Sequence, residues 1–124
     1  MHVLGTMVEA VRPSGLVLDL QVIRPDPVVE IDGQVVCAIS GGPLFAQADA
    51  AVAAIDAAVQ DGRLKDEAVD DHDVRKHFAT GRDLVAEFDG KQRRPPAEAV
   101  PALEAHPGPA VLRERCRLRR LRVL

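Results

Sequence analysis

The sequence predicts an α/β fold in a single domain spanning residues 1–124, with helices alternating with strands and a small β-hairpin inserted after the first strand. Three observations carry this. Runs rich in Leu, Val and Ile stand at residues 16–23 and 110–123. An Ala-rich segment with helical periodicity lies between them at 44–60. Gly, Pro and Asp clusters separate these segments at turn-like intervals. A chain of 124 residues builds one modest core, not two domains of ordinary size.

The elements follow in chain order. Leu4, Met7, Val8 and Val11 share one face at helical spacing, so residues 2–12 read as a helix. Pro13 ends it, because its ring disfavours helical geometry at the preceding residue, and Ser14-Gly15 supply a turn. "LVLDLQVI", residues 16–23, is apolar except for Asp19 and Gln21, which predicts a strand covered on both faces, as in the interior of a parallel sheet. "RPDP" at 24–27 breaks that strand. "VVEID" and "QVVCAIS" then form a hairpin over 28–39 around an Asp-Gly turn.

Past Ser40-Gly41-Gly42-Pro43, residues 44–60 form a helix with Val52, Ile55 and Val59 on its apolar stripe and Gly62 as its stop. Residues 64–78 place Ala68, His72, Val74 and Phe78 on one period-two face, and their polarity suits an edge strand. Thr80 caps a short helix with Asp83 in its first turn, and Gly90 closes it. "KQRRPP" reads as a polar linker, and Pro95-Pro96 open a helix that Pro101 shortens and "PGP" at 107–109 ends. In the last strand, Leu112, Cys116 and Leu118 face one way and Arg113, Arg115, Arg117 and Arg119 the other. Leu121 and Val123 fall on the arginine parity, which predicts a phase change at Arg119-Arg120.

Composition narrows the functional classes. The chain is 47% hydrophobic and 28% charged, as in soluble globular proteins, and has no apolar run of the roughly 18–20 residues that a membrane span needs. The amino terminus lacks a basic segment followed by an apolar core and a cleavage site, so a cytoplasmic location is expected. Cys37 and Cys116 stand far apart with no CxxC partner and read as two buried thiols. With three Phe and no Trp or Tyr, the core rests on aliphatic side chains.

Local motifs for catalysis are lacking: no GxxxxGK[ST], HExxH or GxSxG occurs. "SGG" at 40–42 precedes a helix and can greet an anion, but without the spacing of a nucleotide loop. In "DEAVDDHDVRKH", neighbours on a strand point to opposite faces, so Asp70 with His72, or Asp71 with Asp73, share a side; a solvated edge is favoured over a metal site. Residues 113–122 hold six Arg and one Glu in a chain of net charge −3. Two readings stay open for this stripe: a strand face paired with acids such as Asp66, Glu67 and Asp70–Asp73, or a surface for an acidic partner or nucleic acid, the former favoured.

"MVEAVRPSGLVLDLQV" resembles the helix, turn and fifth strand of class I S-adenosylmethionine-dependent methyltransferases, where a leucine-rich helix ends in an Arg, a Pro-Gly-Gly-type turn and a strand. Ser14 stands where that turn has its middle Gly. The helix at 44–60 and strands at 64–78 and 110–123 follow the order of the family's carboxy-terminal half. The resemblance implies a partial Rossmann-like three-layer sheet, methyltransferase strands five to seven. Strand 16–23 would lie beside the terminal strand, and 64–78 at the far edge. It further implies a chain that supplies the substrate side of a methyltransferase and is inactive alone. The chain binds no cofactor by itself; S-adenosylmethionine is expected only if an upstream half completes the fold. Asp19, Gln21 and Arg24 are then the substrate-side candidates, by the rule that open α/β sheets bind ligands at carboxyl strand ends. The unpaired edge at 16–23 implies an amino-terminal half as partner, or self-association. The competing expectation is a small α+β binding module with a basic terminal strand.

Overall fold

The computed structural model describes residues 14–124, so the helix expected over residues 2–12 lies outside the described residues. Strand β1 spans Leu16–Ile31 and β2 Gln34–Ala38; helix α1 follows at Gly42–Gln60, then β3 at Leu64–Phe78. Two short helices, α2 at Gly81–Glu87 and α3 at Val100–Ala105, precede β4 at Ala110–Val123. The strands form one open sheet in the order β2-β1-β4-β3. β1 and β2 are antiparallel. Backbone bonds between Ser14, Gly15 and Val123, and from Leu124 to Arg63, join the end of β4 to the starts of β1 and β3. The protein is thus a mixed α/β chain built on an antiparallel sheet.

That corrects the expectation of a parallel interior at residues 16–23. Leu16, Leu18 and Leu20 are 42%, 59% and 57% exposed, whereas Val17 is buried. β1 therefore covers one face only, and its leucines occupy the alternate positions that point away from the core. "RPDP" does not break the strand either. β2 pairs with β1 only along Val28–Ile31. Pro25 stands beyond that ladder and Pro27 at its end, where its carbonyl accepts from the Ile39 N–H at 2.8 Å and the missing N–H is tolerated.

The chain divides into two compact units, each assembled from separated segments. Among the described residues, unit 1 takes residues 14–23, Leu44–His72 and Cys116–Leu124; unit 2 takes Arg24–Pro43 and Asp73–Arg115. In unit 1, Ile55 and Ala58 of α1 pack on Val17, Leu64, Leu121 and Val123. The buried stripe of α1 runs Phe45, Ala48, Ala51, Ile55, Ala58. Val52 and Val59, expected at its centre, sit at its flank. Alanines form most of the stripe, and small side chains let a helix lie close to what it covers.

Unit 2 has the larger core, with Val29, Ile39, Leu84, Phe88, Leu103, Ala110 and Leu112 buried together. Its hairpin turns at Asp32-Gly33, both with positive φ (53° and 77°), the conformation a two-residue hairpin loop of this kind requires. β2 carries a register shift opposite Val29/Glu30. The Thr80 hydroxyl accepts from the Asp83 N–H at 3.1 Å, capping α2 as the sequence predicts. Gly81 is required by close approach: a Cβ there would meet the Leu103 carbonyl oxygen at 2.0 Å. Helix α3 begins only at Val100, not at Pro95-Pro96, with Pro101 in its first turn, where its missing N–H costs nothing. Along β4 the buried positions run on even numbers through Cys116 and on odd numbers from Arg119. The phase change thus falls at Arg117-Leu118, just ahead of the expected Arg119-Arg120.

Candidate functional site

Asp19 and Gln21 are half-buried two positions apart on β1, and so share a face. The Gln21 side-chain amide donates to Asp19 Oδ1 at 2.8 Å. Arg24, the third substrate-side candidate, is exposed and belongs to unit 2, where it precedes Pro25 at the mouth of a cleft. The first two are brought together by a direct bond.

The cleft in unit 2 has a volume of about 300 Å³ and is lined by Pro25, Asp26, Val28, Asp73, Arg113 and Arg115. Its charges are mutually compensated. Arg113 Nε donates to Glu30 at 3.0 Å. Arg115 Nη1 donates to Asp73 at 3.3 Å, and Arg113 Nη1 lies 3.8 Å from the same carboxylate. Asp26 accepts from the Gly41 N–H at 3.1 Å. That bond places a carboxylate of the chain itself on "SGG", the segment weighed as an anion loop. The remaining guanidinium N–H groups can orient a small polar ligand, while the lining holds no hydroxyl, thiol or amine to act as a nucleophile. Sequence reasoning missed Asp26, Asp73, Arg113 and Arg115 as a group, because only the pairing of strands makes them neighbours.

In unit 1 the basic stripe meets its acids. Arg117 forms a two-pronged pair with Asp71 at 2.8 and 3.0 Å. Arg119 donates to Asp66 at 2.7 Å and approaches Asp56 of α1 at 3.6 Å. Arg120 and Arg122 converge on Glu67, at 3.1 Å each. The Arg122 hydrogen bond, with the charges of Arg122 and Arg120 adding and desolvation opposing, holds the Glu67 carboxyl below its ordinary value. Its bond to Asp71 raises the Arg117 pKa. These are the partners expected among Asp66, Glu67 and Asp70–Asp73, made neighbours by the adjacency of β3 and β4. Arg119 departs from the expected solvent face: it is only 7% exposed, because the phase change turns it inward.

Of the candidate metal ligands, Asp71 serves Arg117 and Asp73 serves Arg115, while His72 Nδ1 lies 2.9 Å from Asp70 Oδ2 without the geometry of a hydrogen bond. Among the described residues no three His, Cys, Asp or Glu side chains are grouped to hold a metal ion.

Glu114 is the buried charge that the arginine pattern obscured. It is 3% exposed, with Lys76 Nζ at 3.5 Å and Arg93 Nη1 at 3.7 Å. The Arg93 guanidinium also sits over the Phe88 ring, 5.9 Å from its centroid. "KQRRPP" is therefore an anchored segment and not a free linker. The signal was the parity of Glu114, shared with Leu112 and Cys116. Of the cysteines, Cys116 is buried as expected and Cys37 only half-buried. Burial, and then the charge of Glu98, push the Cys37 thiol up, which keeps it protonated and unreactive.

Comparison with protein-family models finds no match, and neither does comparison with curated proteins or with solved structures. Among the described residues, no helix is long and apolar enough to cross a membrane.

Proposed function

We propose that this chain is the carboxy-terminal half of a class I S-adenosylmethionine-dependent methyltransferase fold, a fragment or subunit that contributes the substrate side and is inactive alone. The observation that carries the reading is the strand order. β1, β4 and β3 lie side by side with β4 antiparallel between the other two. That is the arrangement expected of methyltransferase strands five, seven and six, and a Rossmann-like three-layer sheet is its completed form. The Pro-Ser-Gly turn adds support: Ser14 has φ 69°, the left-handed conformation for which the family's turn carries Gly.

In this reading the methyl donor binds on a half supplied upstream or in trans. This chain's contribution is to position the acceptor for in-line attack on the sulfonium methyl. Asp19 and Gln21 lie on the first part of β1 in unit 1, and Arg24 of unit 2 directly precedes Pro25, which lines the unit 2 cleft. A cytoplasmic location belongs to the same proposal. The acid partners of the arginine stripe favour it over the basic binding module.

Two calorimetric titrations with S-adenosylmethionine test this. The chain alone is expected to give no binding heat. Co-expressed with the product of upstream coding sequence that carries a Gly-rich loop and an acidic strand end, it is expected to bind the donor. Donor binding by the chain alone, or none by the reconstituted pair, overturns the proposal.

A further inference from the structure

The unit 2 cleft lies on the face of the strands that the core does not use. On β1, Pro27 and Val29 are buried, which turns Asp26, Val28 and Glu30 to the other side. On β4, Leu112 and Glu114 are buried, which turns out Arg113 and Arg115. The bond from Arg113 to Glu30 puts the two sets on one face, and β3 adds Asp73 to the lining.

This lining has two ends of opposite charge. At one end Asp73 accepts from Arg115 at 3.3 Å and has Arg113 Nη1 at 3.8 Å and Arg75 Nη2 at 4.0 Å, while Glu30 accepts from Arg113 Nε. Three guanidinium groups thus share two carboxylates, which leaves one positive charge in excess. The Nη2 groups of Arg113 and Arg115 make no hydrogen bond among the described residues and remain available as donors. At the other end Asp26 makes no ion pair among the described residues. Its Oδ1 is held by the Gly41 N–H, and its second oxygen is left to accept. Pro25 and Val28 supply the apolar part of the lining.

We infer that this cleft binds a small amino carboxylate, with its carboxylate on Arg113 and Arg115 and its ammonium group on Asp26. Guanidinium N–H groups match a carboxylate in geometry as well as charge, and an ionised Asp can only accept, so each end selects one end of the ligand. The volume of about 300 Å³ equals that of about ten water molecules in the liquid, which suits an amino acid with a short side chain and excludes a nucleotide. The lining carries no aromatic side chain on which a base could stack. A phosphate would bring its charge against Asp26 and Asp73 and leave Asp26 without a donor. All six lining residues belong to unit 2. Binding here needs neither a methyl donor nor an upstream half, so its failure leaves the donor titrations untouched.

Backbone amide shifts of the isotope-labelled full chain, titrated with glycine, β-alanine and γ-aminobutyrate, test this. Propanoate, propylamine and inorganic phosphate serve as probes that carry one sign of charge only. At least one amino carboxylate is expected to give saturable shifts centred on Asp26, Val28, Asp73, Arg113 and Arg115. It should bind at least about fivefold tighter than any of the one-sign probes, each of which lacks one charged contact. Asp26→Asn keeps a carbonyl oxygen for the Gly41 N–H and removes only the charge. This variant should leave the circular dichroism spectrum intact and weaken the amino carboxylate about fivefold. Arg115→Gln should weaken the amino carboxylate and propanoate alike. Shifts that fail to saturate with all three amino carboxylates overturn the inference. So does equal or tighter binding of propanoate, propylamine or phosphate, or an affinity that either variant leaves unchanged.

Discussion

Unit 1 and unit 2 share three strands but solve burial differently. Among the described residues, unit 1 packs α1 on the Val17 face of its strands, while Leu16, Leu18 and Leu20 of the opposite parity are exposed. Unit 2 gathers strand, hairpin and two short helices around a core that includes Phe88, Leu84 and Leu112, and compensates its one buried carboxylate with two cations. An apolar side chain enclosed on all sides contributes fully to the stability of its unit, whereas one on an exposed face contributes little.

Leucine truncation sharpens the contrast most. Leu84 is fully buried in unit 2, and Leu84→Ala should cost about 2–5 kcal/mol in denaturant unfolding, from lost transfer energy and the cavity left behind. Leu18→Ala in unit 1, at a position 59% exposed, should stay within about 0.5 kcal/mol. Equal costs would erase the distinction between the units.

The turn that opens unit 1 gives the next effect. Ser14 holds a positive φ that an L side chain adopts at a penalty, so Ser14→Gly should stabilise by about 1 kcal/mol, read as a shift in the denaturation midpoint.

Acid should act last and least, through Glu67. Its folded pKa lies below the ordinary 4.5, so its contribution is present above that value and declines as pH falls through the lowered one. Arg122→Gln should remove this part of the acid dependence while leaving neutral-pH stability nearly unchanged, because exposed pairs contribute little. An acid transition that Arg122→Gln does not alter would assign the dependence to other carboxylates.

Much of this fold is legible in the sequence, for local reasons. Thr80 with Asp83, the Asp32-Gly33 turn, the bounds of β3 and β4, and the stop at Gly62 all follow from residues acting on their neighbours. The misses are non-local. Leucine content at 16–23 suggests burial on both faces, yet whether the second face is covered depends on what else the chain supplies. Prolines at 25 and 27 end a strand only where a ladder needs their N–H, and strand order alone decides that. The candidate site divides along the same line. Arginine partners could be named from charge and adjacency. Glu114 and the Arg113, Arg115 and Asp73 cleft needed the register between strands.

One feature of the sheet bears on how the molecule comes to be folded. β4 follows the other three strands in the chain and stands between β1 and β3. It contributes Leu121 and Val123 to one core and Ala110 and Leu112 to the other. Ser14 and Arg122, bonded in the fold, are 108 positions apart. Synthesis therefore delivers the central strand after those it must separate, and neither core closes before β4 has been made. Folding waits on long-range pairing, and the edges of β1 and β3 that β4 will cover stay exposed to chaperones until it arrives.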